Sequence, residues 1–162
     1  MSKHKIKKTN AMRELDKAHI EYEVREYEVD ENLSGVHAAE SLGEDPKKVF
    51  KTLVARSNTN EFCVFMIPVA DELDLKKAAS ASSNKSIHML AVKELKDVTG
   101  YIRGGCSPLA MKKKFPSYID QSACKHDYIA CSAGQRGLQL IVNPLQLAKL
   151  IQAEFADLRL GL

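Results

Sequence analysis

Two apolar segments joined by a short polar turn constrain the fold more than any other feature of the chain. Residues 61–69 are almost continuously apolar, and such a run predicts a strand that is buried on both faces. The preceding segment at 49–55, Val-Phe-Lys-Thr-Leu-Val-Ala, predicts another strand, and Asn58, Thr59 and Asn60 form a turn between the two. Together the segments predict a β-hairpin whose second strand is enclosed by the fold.

Short helices and further strands are predicted to alternate along the rest of the chain. Caps and apolar stripes predict helices near 11–18, 34–43, 75–80, 92–98 and 144–155, and apolar runs predict strands near 22–29, 87–90, 118–120, 128–131 and 138–142. A length of 162 residues suffices for one domain with a real core and is too short for two large ones. We therefore expect an α/β (α+β) architecture, with a basic flexible arm at residues 1–8 and a single mixed-sheet domain at residues 9–162.

The charge and cysteine content limit the classes of partner and site. A net charge of +3 and a pI near 8.6 are mildly basic, which is compatible with an RNA partner and does not require one. No apolar run is long enough for a membrane span, and the first residues lack the apolar core of a signal peptide, so we expect a cytoplasmic protein without membrane association. The four cysteines form no CxxC pair and no zinc spacing, and no HExxH motif occurs, so we expect reduced thiols, no metal and no cofactor.

The segment at 100–116 concentrates glycine, proline and positive charge. Gly104 and Gly105 permit backbone angles closed to other residues and let a ligand approach main-chain amides, while Pro108 stiffens the end of the loop. Three lysines follow directly: Lys112, Lys113 and Lys114. Exposed amides beside cations suit an anionic or carbonyl-bearing ligand. Taken alone, a surface turn before a solvated basic run is the simpler interpretation.

Three other places carry chemical groups of interest. Lys51, within a strong strand, is either a lysine at a sheet edge that reaches solvent or an ammonium that binds phosphate, a ribose hydroxyl or a carbonyl. The turn at 132–137 is an ordinary hairpin turn, or a site where Ser132 and Arg136 contact phosphate. Cys106 is the only cysteine whose setting favours exposure and reactivity, because Cys63 and Cys131 lie in apolar runs.

No catalytic triad is evident from the sequence. Ser107 lacks the strand–turn–helix setting of a nucleophilic serine, and the histidines share no motif. His37 and His126 are weak acid–base candidates that are better explained as surface residues.

Five segments together resemble the YbaK family, in the family's order and spacing across residues 9–158. They are Val-Phe-Lys-Thr-Leu at 49–53, Leu-Lys-Lys-Ala at 75–78, Thr-Gly-Tyr-Ile-Arg-Gly-Gly-Cys-Ser-Pro-Leu at 99–109, Ser-Ala-Gly-Gln-Arg-Gly-Leu at 132–138 and Leu-Ala-Lys-Leu at 147–150. These proteins are free-standing aminoacyl-tRNA deacylases similar to the editing domain of bacterial prolyl-tRNA synthetases. The resemblance implies a mixed sheet curved into a partial barrel with helices around it. It also implies removal of cysteine from Cys-tRNA(Pro) and from other cysteinyl-tRNAs, with aminoacyl-tRNA as partner and prolyl-tRNA synthetase as a candidate third component.

The resemblance also implies roles for individual residues. Lys51 matches the family's essential lysine, and Gly104, Gly105 and Pro108 match a GxxxP loop whose backbone faces the aminoacyl carbonyl. Positions expected around the substrate are Tyr27, Cys106, Ser107, Ser132 and Gly134, and positions expected to contact tRNA are Lys112, Lys113, Lys114 and Arg136. In the YbaK branch the substrate's own thiol attacks the ester carbonyl, so Cys106 is not expected to be the nucleophile.

Two positions depart from the family pattern. Ala110 stands where a glycine is common, a change that a negative φ would tolerate. Ser34 stands where the YbaK branch usually carries an aromatic residue just before the glycine matching Gly35. Sister branches on the same scaffold remove alanine or other small amino acids. Three alternatives therefore stay open: a cysteinyl-tRNA deacylase, an alanyl-tRNA deacylase, and a non-catalytic module that binds tRNA or nucleotides.

Overall fold

The computed structural model describes residues 6–29 and 34–161 of the chain. Its helices are α1 (Asn10–Lys17), α2 (Gly35–Leu42), α3 (Leu75–Ala81), α4 (Leu95–Thr99) and α5 (Pro144–Ile151). Its strands are β1 (Tyr22–Glu26), β2 (Phe50–Ser57), β3 (Phe62–Pro68), β4 (Ile87–Met89), β5 (Ser117–Asp120), β6 (Ile129–Ser132), β7 (Leu138–Val142) and β8 (Glu154–Ala156). Short 3-10 helices occupy Val92–Glu94 and Gln121–Lys125.

The strands form two sheets. One has the order β4-β2-β3-β5-β8, with antiparallel pairing of β2 to β3 and β4 and parallel pairing of β5 to β3 and β8. The other has the antiparallel order β1-β7-β6. The α/β class and the mixed sheet are confirmed, and the division of the strands between two sheets is a feature that the sequence did not predict. The curvature into a partial barrel stays a prediction.

The predicted hairpin is confirmed as the pair β2–β3, in a register that places Phe50 opposite Pro68 and Arg56 opposite Phe62. The β3 residues at 63–68 are all buried, because β2 and β5 flank the strand and apolar side chains cover both faces. Burial on both faces is the reason that this strand shows no apolar–polar alternation.

Polar side chains cap the first turns of four helices. Thr9, Ser34, Asp74 and Asn143 accept hydrogen bonds from main-chain amides in the first turns of α1, α2, α3 and α5. At the other end of α2, Gly43 adopts φ of 67°, the left-handed angle expected of a helix stop.

The last helix is shorter than predicted. The apolar stripe at 144–155 predicts a helix that includes Phe155, but α5 ends at Ile151 because Gln152 adopts φ of 55°. Phe155 instead lies in β8, opposite Ile119 of β5. Phe155 still packs against the main core. The apolar stripe therefore predicted the burial of this side chain correctly, but the predicted helical conformation is wrong.

The predicted basic arm at 1–8 lies partly outside the described residues. Of its described part, Ile6 packs against the main core and the Lys8 ammonium pairs with Asp16. The first half of β2 borders the site described next. β4 pairs with β2 only from Ala55 to Ser57, and just before β2 a single bridge joins Val49 to Ala130 of β6.

Candidate functional site

A cavity of about 440 Å³ is lined by residues from both sheets, by α2 and by two glycine-containing loops. It extends from Val49, the residue before β2, to Val54 of β2, and so covers the part of the strand that lies before the pairing with β4. It brings together six of the residues predicted from sequence: Tyr27, Lys51, Gly104, Cys106, Ser132 and Arg136. These positions are far apart in the chain, so their convergence identifies this cavity as the candidate site.

Lys51 lies on β2 opposite Ile67 of β3, with its side chain half-buried at the cavity. Burial lowers the pKa of its ammonium group, and the negative charges of Glu72 and Asp71 oppose that shift. Within residues 6–29 and 34–161, no acceptor lies within hydrogen-bond or ion-pair distance of this ammonium. A half-buried cation without such a partner is available to a ligand, at a part of β2 where β4 does not pair with the strand.

The glycine loop contributes residues to the cavity whose main-chain amides have no described acceptor. Gly104, at φ of 87°, and Cys106 both line it, and their amides donate no hydrogen bond to any described residue. The amide of Gly105 is instead used inside the loop, where it donates to the Ile102 carbonyl at 3.0 Å. The amides of Gly104 and Cys106 are therefore the donors that could stabilise a developing oxyanion.

Gly105 holds the glycine loop against the turn at 132–137. A Cβ atom added at Gly105 would lie 3.1 Å from main-chain atoms of Gln135 and Arg136. Glycine permits this close approach of two backbones, which a larger residue would disturb. Gly105 does not line the cavity, so its contribution is to fix the loop that does.

Cys106 is buried, which corrects the prediction that it is the exposed cysteine. Burial raises the pKa of its thiol to about 12, against the opposing hydrogen bond with Thr99. Cys124 is the exposed cysteine, while Cys63 and Cys131 are buried as predicted. A thiol with this pKa stays protonated at neutral pH and is a poor nucleophile.

The turn at 132–137 supplies a hydroxyl and a guanidinium to the cavity. The Ser132 hydroxyl accepts a hydrogen bond from the Gly134 amide at 3.2 Å. Arg136 Nε donates to the Arg103 carbonyl at 2.8 Å. A carbonyl is neutral, so the positive charge of Arg136 remains available to an anion. Tyr27 joins the same wall, because its amide donates to the Gly137 carbonyl at 3.0 Å.

Other predicted residues lie outside the cavity and support it. The buried Ser107 and Pro108 belong to the loop, where Ser107 Oγ accepts from the Leu109 amide at 3.2 Å. Gly134 lies against the Tyr101 ring, 3.2 Å from the position that a Cβ would take. The lysines Lys112, Lys113 and Lys114 are exposed beyond the cavity. Of the two histidines considered, His37 lines the cavity and His126 does not.

Sequence reasoning missed two polar side chains that line the cavity, Thr52 and Gln139. Thr52 Oγ1 and Gln139 Oε1 are buried and have no hydrogen-bond partner among the described residues. A buried polar atom left without a partner costs about 1–3 kcal/mol, so these oxygens are candidates for ligand contacts. A signal was present for Gln139, since it is the one polar residue in the apolar run Leu-Gln-Leu-Ile-Val of β7.

Arg103 was missed as well, although it stands beside the glycines of the loop, and it lines the cavity together with Arg136. Among the residues that the structure describes, no three His, Cys, Asp or Glu side chains are grouped so as to hold a metal ion. No helix in the described ranges is long and apolar enough to cross a membrane.

Comparison with known proteins agrees with this arrangement. A model of the aminoacyl-tRNA editing domain family matches residues 32–150. The chain is 44% identical over 162 residues to a protein of Enterococcus faecalis (strain ATCC 700802 / V583) named Cys-tRNA(Pro)/Cys-tRNA(Cys) deacylase EbsC, with 98% of each protein covered.

Solved structures share the fold. The crystal structure of a trans-editing enzyme for prolyl-tRNA synthetase superposes with a TM-score of 0.80 at 22% identity, over 94% of this chain and 99% of that one. The crystal structure of a hypothetical protein gives a TM-score of 0.86 at 18% identity, over 94% and 100% of the two chains. The family match spans most of the sequence, the named relative spans nearly all of it, and the resemblance to the YbaK family is thereby confirmed: this chain belongs to the family of aminoacyl-tRNA editing domains.

Proposed function

We propose that this protein is an aminoacyl-tRNA deacylase that removes cysteine from Cys-tRNA(Pro) and from Cys-tRNA(Cys). The observation that carries the proposal is a single cavity in which the unpartnered ammonium of Lys51 accompanies the unpaired amides of Gly104 and Cys106. The substrate of the Enterococcus faecalis relative supports the choice of aminoacyl group.

The reaction replaces the ester with a thioester inside the substrate. The cysteine thiol attacks the ester carbonyl carbon, the bond from that carbon to the ribose oxygen breaks, and the thiol proton ends on the ribose oxygen. The products are tRNA with a free terminal hydroxyl and a cyclic thiolactone of cysteine. Because the protein supplies no nucleophile, its contribution is to hold the thiol near the carbonyl and to stabilise the oxyanion. The protonated, buried Cys106 is consistent with that division of roles.

Each wall of the cavity then has a role toward the terminal nucleotide. Lys51 provides a positive charge for the phosphate or ribose hydroxyl of the terminal adenosine. The amides of Gly104 and Cys106 donate to the carbonyl oxygen as negative charge develops on it. Apolar side chains at the cavity, Val29, Met89 and Val92, are 48%, 45% and 61% exposed, and such a surface suits the face of a nucleobase.

A second candidate function is removal of alanine or another small amino acid, and Ser34 favours it. Ser34 lines the cavity at the position where an aromatic residue is usual in the YbaK branch, and its hydroxyl caps α2 by accepting from the His37 amide at 3.1 Å. A small residue there leaves more space and removes an aromatic contact to the aminoacyl group. In this case water or a ribose hydroxyl would attack the carbonyl.

The experiment that tests the proposal compares the decay of three esters on the same proline tRNA. Cysteinyl, seryl and alanyl esters differ mainly in the presence of a thiol, a hydroxyl or neither. We expect accelerated loss of the cysteinyl ester alone, with a thiolactone trapped as the first product. Acceleration of the alanyl ester would move the protein to the second candidate. If none of the three esters decays faster than in buffer, while tRNA still binds, the non-catalytic module remains.

We further propose that prolyl-tRNA synthetase presents the tRNA in a ternary complex, and that the reaction takes place in the cytoplasm. The structural neighbour associated with prolyl-tRNA synthetase supports this partner. Addition of the purified synthetase is expected to lower the KM for Cys-tRNA(Pro) and to leave that for Cys-tRNA(Cys) unchanged. Equal effects on both tRNAs would contradict the complex.

A further inference from the structure

A second cavity, of about 460 Å³, lies beside the candidate site on the other side of the same two loops. We call it the α1 groove, since the start of α1 forms one of its walls. Its lining consists of Lys8, Thr9, Asn10, Arg13, Thr99, Gly100, Tyr101, Ala110, Lys112, Gly134 and Gln135.

The α1 groove and the candidate site share a dividing wall. Gly100 and Tyr101 line the groove, whereas Arg103 and Gly104 of the same loop line the site. In the second loop, Gly134 and Gln135 face the groove while Ser132 and Arg136 line the site. The wall is thin, because Gly134 lies directly against the Tyr101 ring. An extended ligand that leaves the candidate site past Arg103 and Arg136 would therefore enter the α1 groove after crossing only a few residues of either loop.

Two of the three cations in the α1 groove form no ion pair with a described carboxylate. Its three cations are Lys8, Arg13 and Lys112, and no Asp or Glu belongs to its lining. Arg13 donates to the Asn10 side-chain oxygen at 2.9 Å, and Lys112 donates to the Asp97 carbonyl at 3.3 Å. Both acceptors are neutral, so the two hydrogen bonds orient the cations and leave their charges uncompensated. Lys8 differs, because it pairs with Asp16.

The six arginines of the chain fall into two groups, those that form an ion pair with a carboxylate and those that form none among the described residues. Arg25, Arg56 and Arg159 form ion pairs with carboxylates. The remaining three have no carboxylate partner among the described residues, and all of them line one of the two cavities: Arg13, Arg103 and Arg136. Unpaired guanidinium groups in a concave surface fit phosphate, which they bind through parallel hydrogen bonds.

We propose that the α1 groove binds the phosphodiester backbone of the tRNA acceptor strand, upstream of the terminal nucleotide. The inference rests on the proposed function for the position of that terminal nucleotide in the adjacent site. The chemistry recognised is a run of phosphates, one after another, along a path from Arg136 and Arg103 to Lys112 and Arg13. Such contacts position the strand without reading its sequence.

The test measures binding of uncharged tRNA, so that it does not depend on catalysis. The variant Arg13→Gln/Lys112→Gln removes two charges from the groove. Lys85→Gln/Lys149→Gln removes two exposed charges elsewhere and is the matched control. Arg13→Lys/Lys112→Arg retains both charges. Fluorescence anisotropy gives the Kd for proline tRNA and for its 3′-terminal trinucleotide, at several salt concentrations, with thermal melting as the check of folding.

We expect the groove variant to bind tRNA about tenfold more weakly at ~0.1 M salt, with a slope of log Kd against log salt that is smaller by about 1.4–1.8. The charge-retaining variant and the control should bind tRNA as the wild type does. The trinucleotide, which reaches only the candidate site, should show no difference between wild type and groove variant.

Unchanged tRNA binding in a folded groove variant, or an equal loss in the matched control, would overturn the inference. Failure of the proposed function has a different signature. In that event the wild type would accelerate no ester cleavage, while tRNA binding would still depend on Arg13 and Lys112.

Discussion

Two residues in or near the site, Ala110 and Gln139, are held in locally unfavourable conformations or environments. Ala110 adopts φ of 56°, in the left-handed region, and its amide donates to Glu14 Oε2 at 2.8 Å. The negative φ under which alanine would replace glycine without strain is therefore not found. Gln139 keeps a buried amide oxygen without a partner in the described structure. Both residues carry a local energetic penalty that a substitution can measure.

We expect Ala110→Gly to stabilise the protein. A left-handed alanine destabilises the folded protein by about 1–2 kcal/mol, and glycine removes this strain. Glycine also makes the unfolded chain more flexible, which offsets the gain in stability by roughly 0.5–1 kcal/mol. The net gain should be about 0.5–1 kcal/mol in the free energy of unfolding by urea. Ala91→Gly is the control, because Ala91 has φ of −66° and should lose stability. A loss for Ala110→Gly would show that strain is absent at this position.

We expect Gln139→Leu to separate stability from function. Leucine removes the unpartnered oxygen, so the free energy of unfolding should stay level or rise by about 1 kcal/mol. Deacylation should fall at least tenfold in kcat/KM if the oxygen contacts substrate. Gln146→Leu, on the exposed face of α5, is the matched control and should leave kcat/KM unchanged. Full activity in Gln139→Leu would exclude the contact.

At the scale of elements, buried contacts between loops and strand ends fix the geometry of the site. The two glycine-containing loops touch backbone to backbone at Gly105. The β5 end is tied to the C-terminal segment through Asp120, whose buried carboxylate accepts from the Leu158 amide at 2.9 Å and the Ser122 amide at 3.1 Å. Arg159 Nε lies 3.2 Å from the same carboxylate.

Gly105→Ala is expected to move the loops apart, because the added methyl would lie 3.1 Å from main-chain atoms of Gln135 and Arg136, which must shift by a few tenths of an ångström to make room. We expect a loss of stability of about 1–3 kcal/mol and a larger fall in kcat than in tRNA affinity, since the amides of Gly104 and Cys106 shift. Gly161→Ala, where the nearest atom is the flexible Lys77 ammonium at 3.7 Å, serves as control. Equal kcat in both variants would contradict the role of loop packing.

Asp120→Ala is expected to destabilise the fold by about 3 kcal/mol, because it leaves two buried amides without their acceptor and leaves Arg159 with only its longer ion pair to Asp71. Asp157→Ala provides the contrast: its ion pair with Lys77 is exposed and should contribute less than about 1 kcal/mol. Urea unfolding measures both. Similar losses would mean that the buried carboxylate is not the tie between β5 and the C-terminal segment.

At the scale of the whole molecule, sequence patterns predicted what depends on neighbouring residues and missed what depends on distant ones. The hairpin and the helix caps follow from local chemistry. Local chemistry left alternatives open for Lys51, Gly104 and Ser132, and the resemblance to the YbaK family assigned them to the site. The division into two sheets depends on which strands pair, and Phe155 became a strand residue because β5 offered a partner. The burial of Cys106 and the exposure of Cys124 follow from packing that no local pattern records.

The unpartnered polar groups were missed for the same reason. The polar position of Gln139 in an apolar strand is visible in the sequence, but the absence of a described hydrogen-bond partner for Thr52 Oγ1 and Gln139 Oε1 depends on residues that are distant in the chain. The α1 groove is formed by segments near residues 10, 100, 110 and 134. Each segment considered alone predicts only solvated cations, so the groove does not follow from any local pattern.

We infer that Lys51 and the amides of Gly104 and Cys106, which line one cavity and have no hydrogen-bond partner among the described residues, make this cavity a site of ester cleavage. The most direct measurement is the single-turnover loss of Cys-tRNA(Pro) with wild type, Lys51→Met and the surface control Lys85→Met, relative to the uncatalysed rate. Methionine retains an apolar stem of similar length, so the fold should be kept. We predict that Lys51→Met loses about 10²–10³-fold in rate and that the control keeps the wild-type rate. Wild-type turnover in a folded Lys51→Met variant would contradict the account.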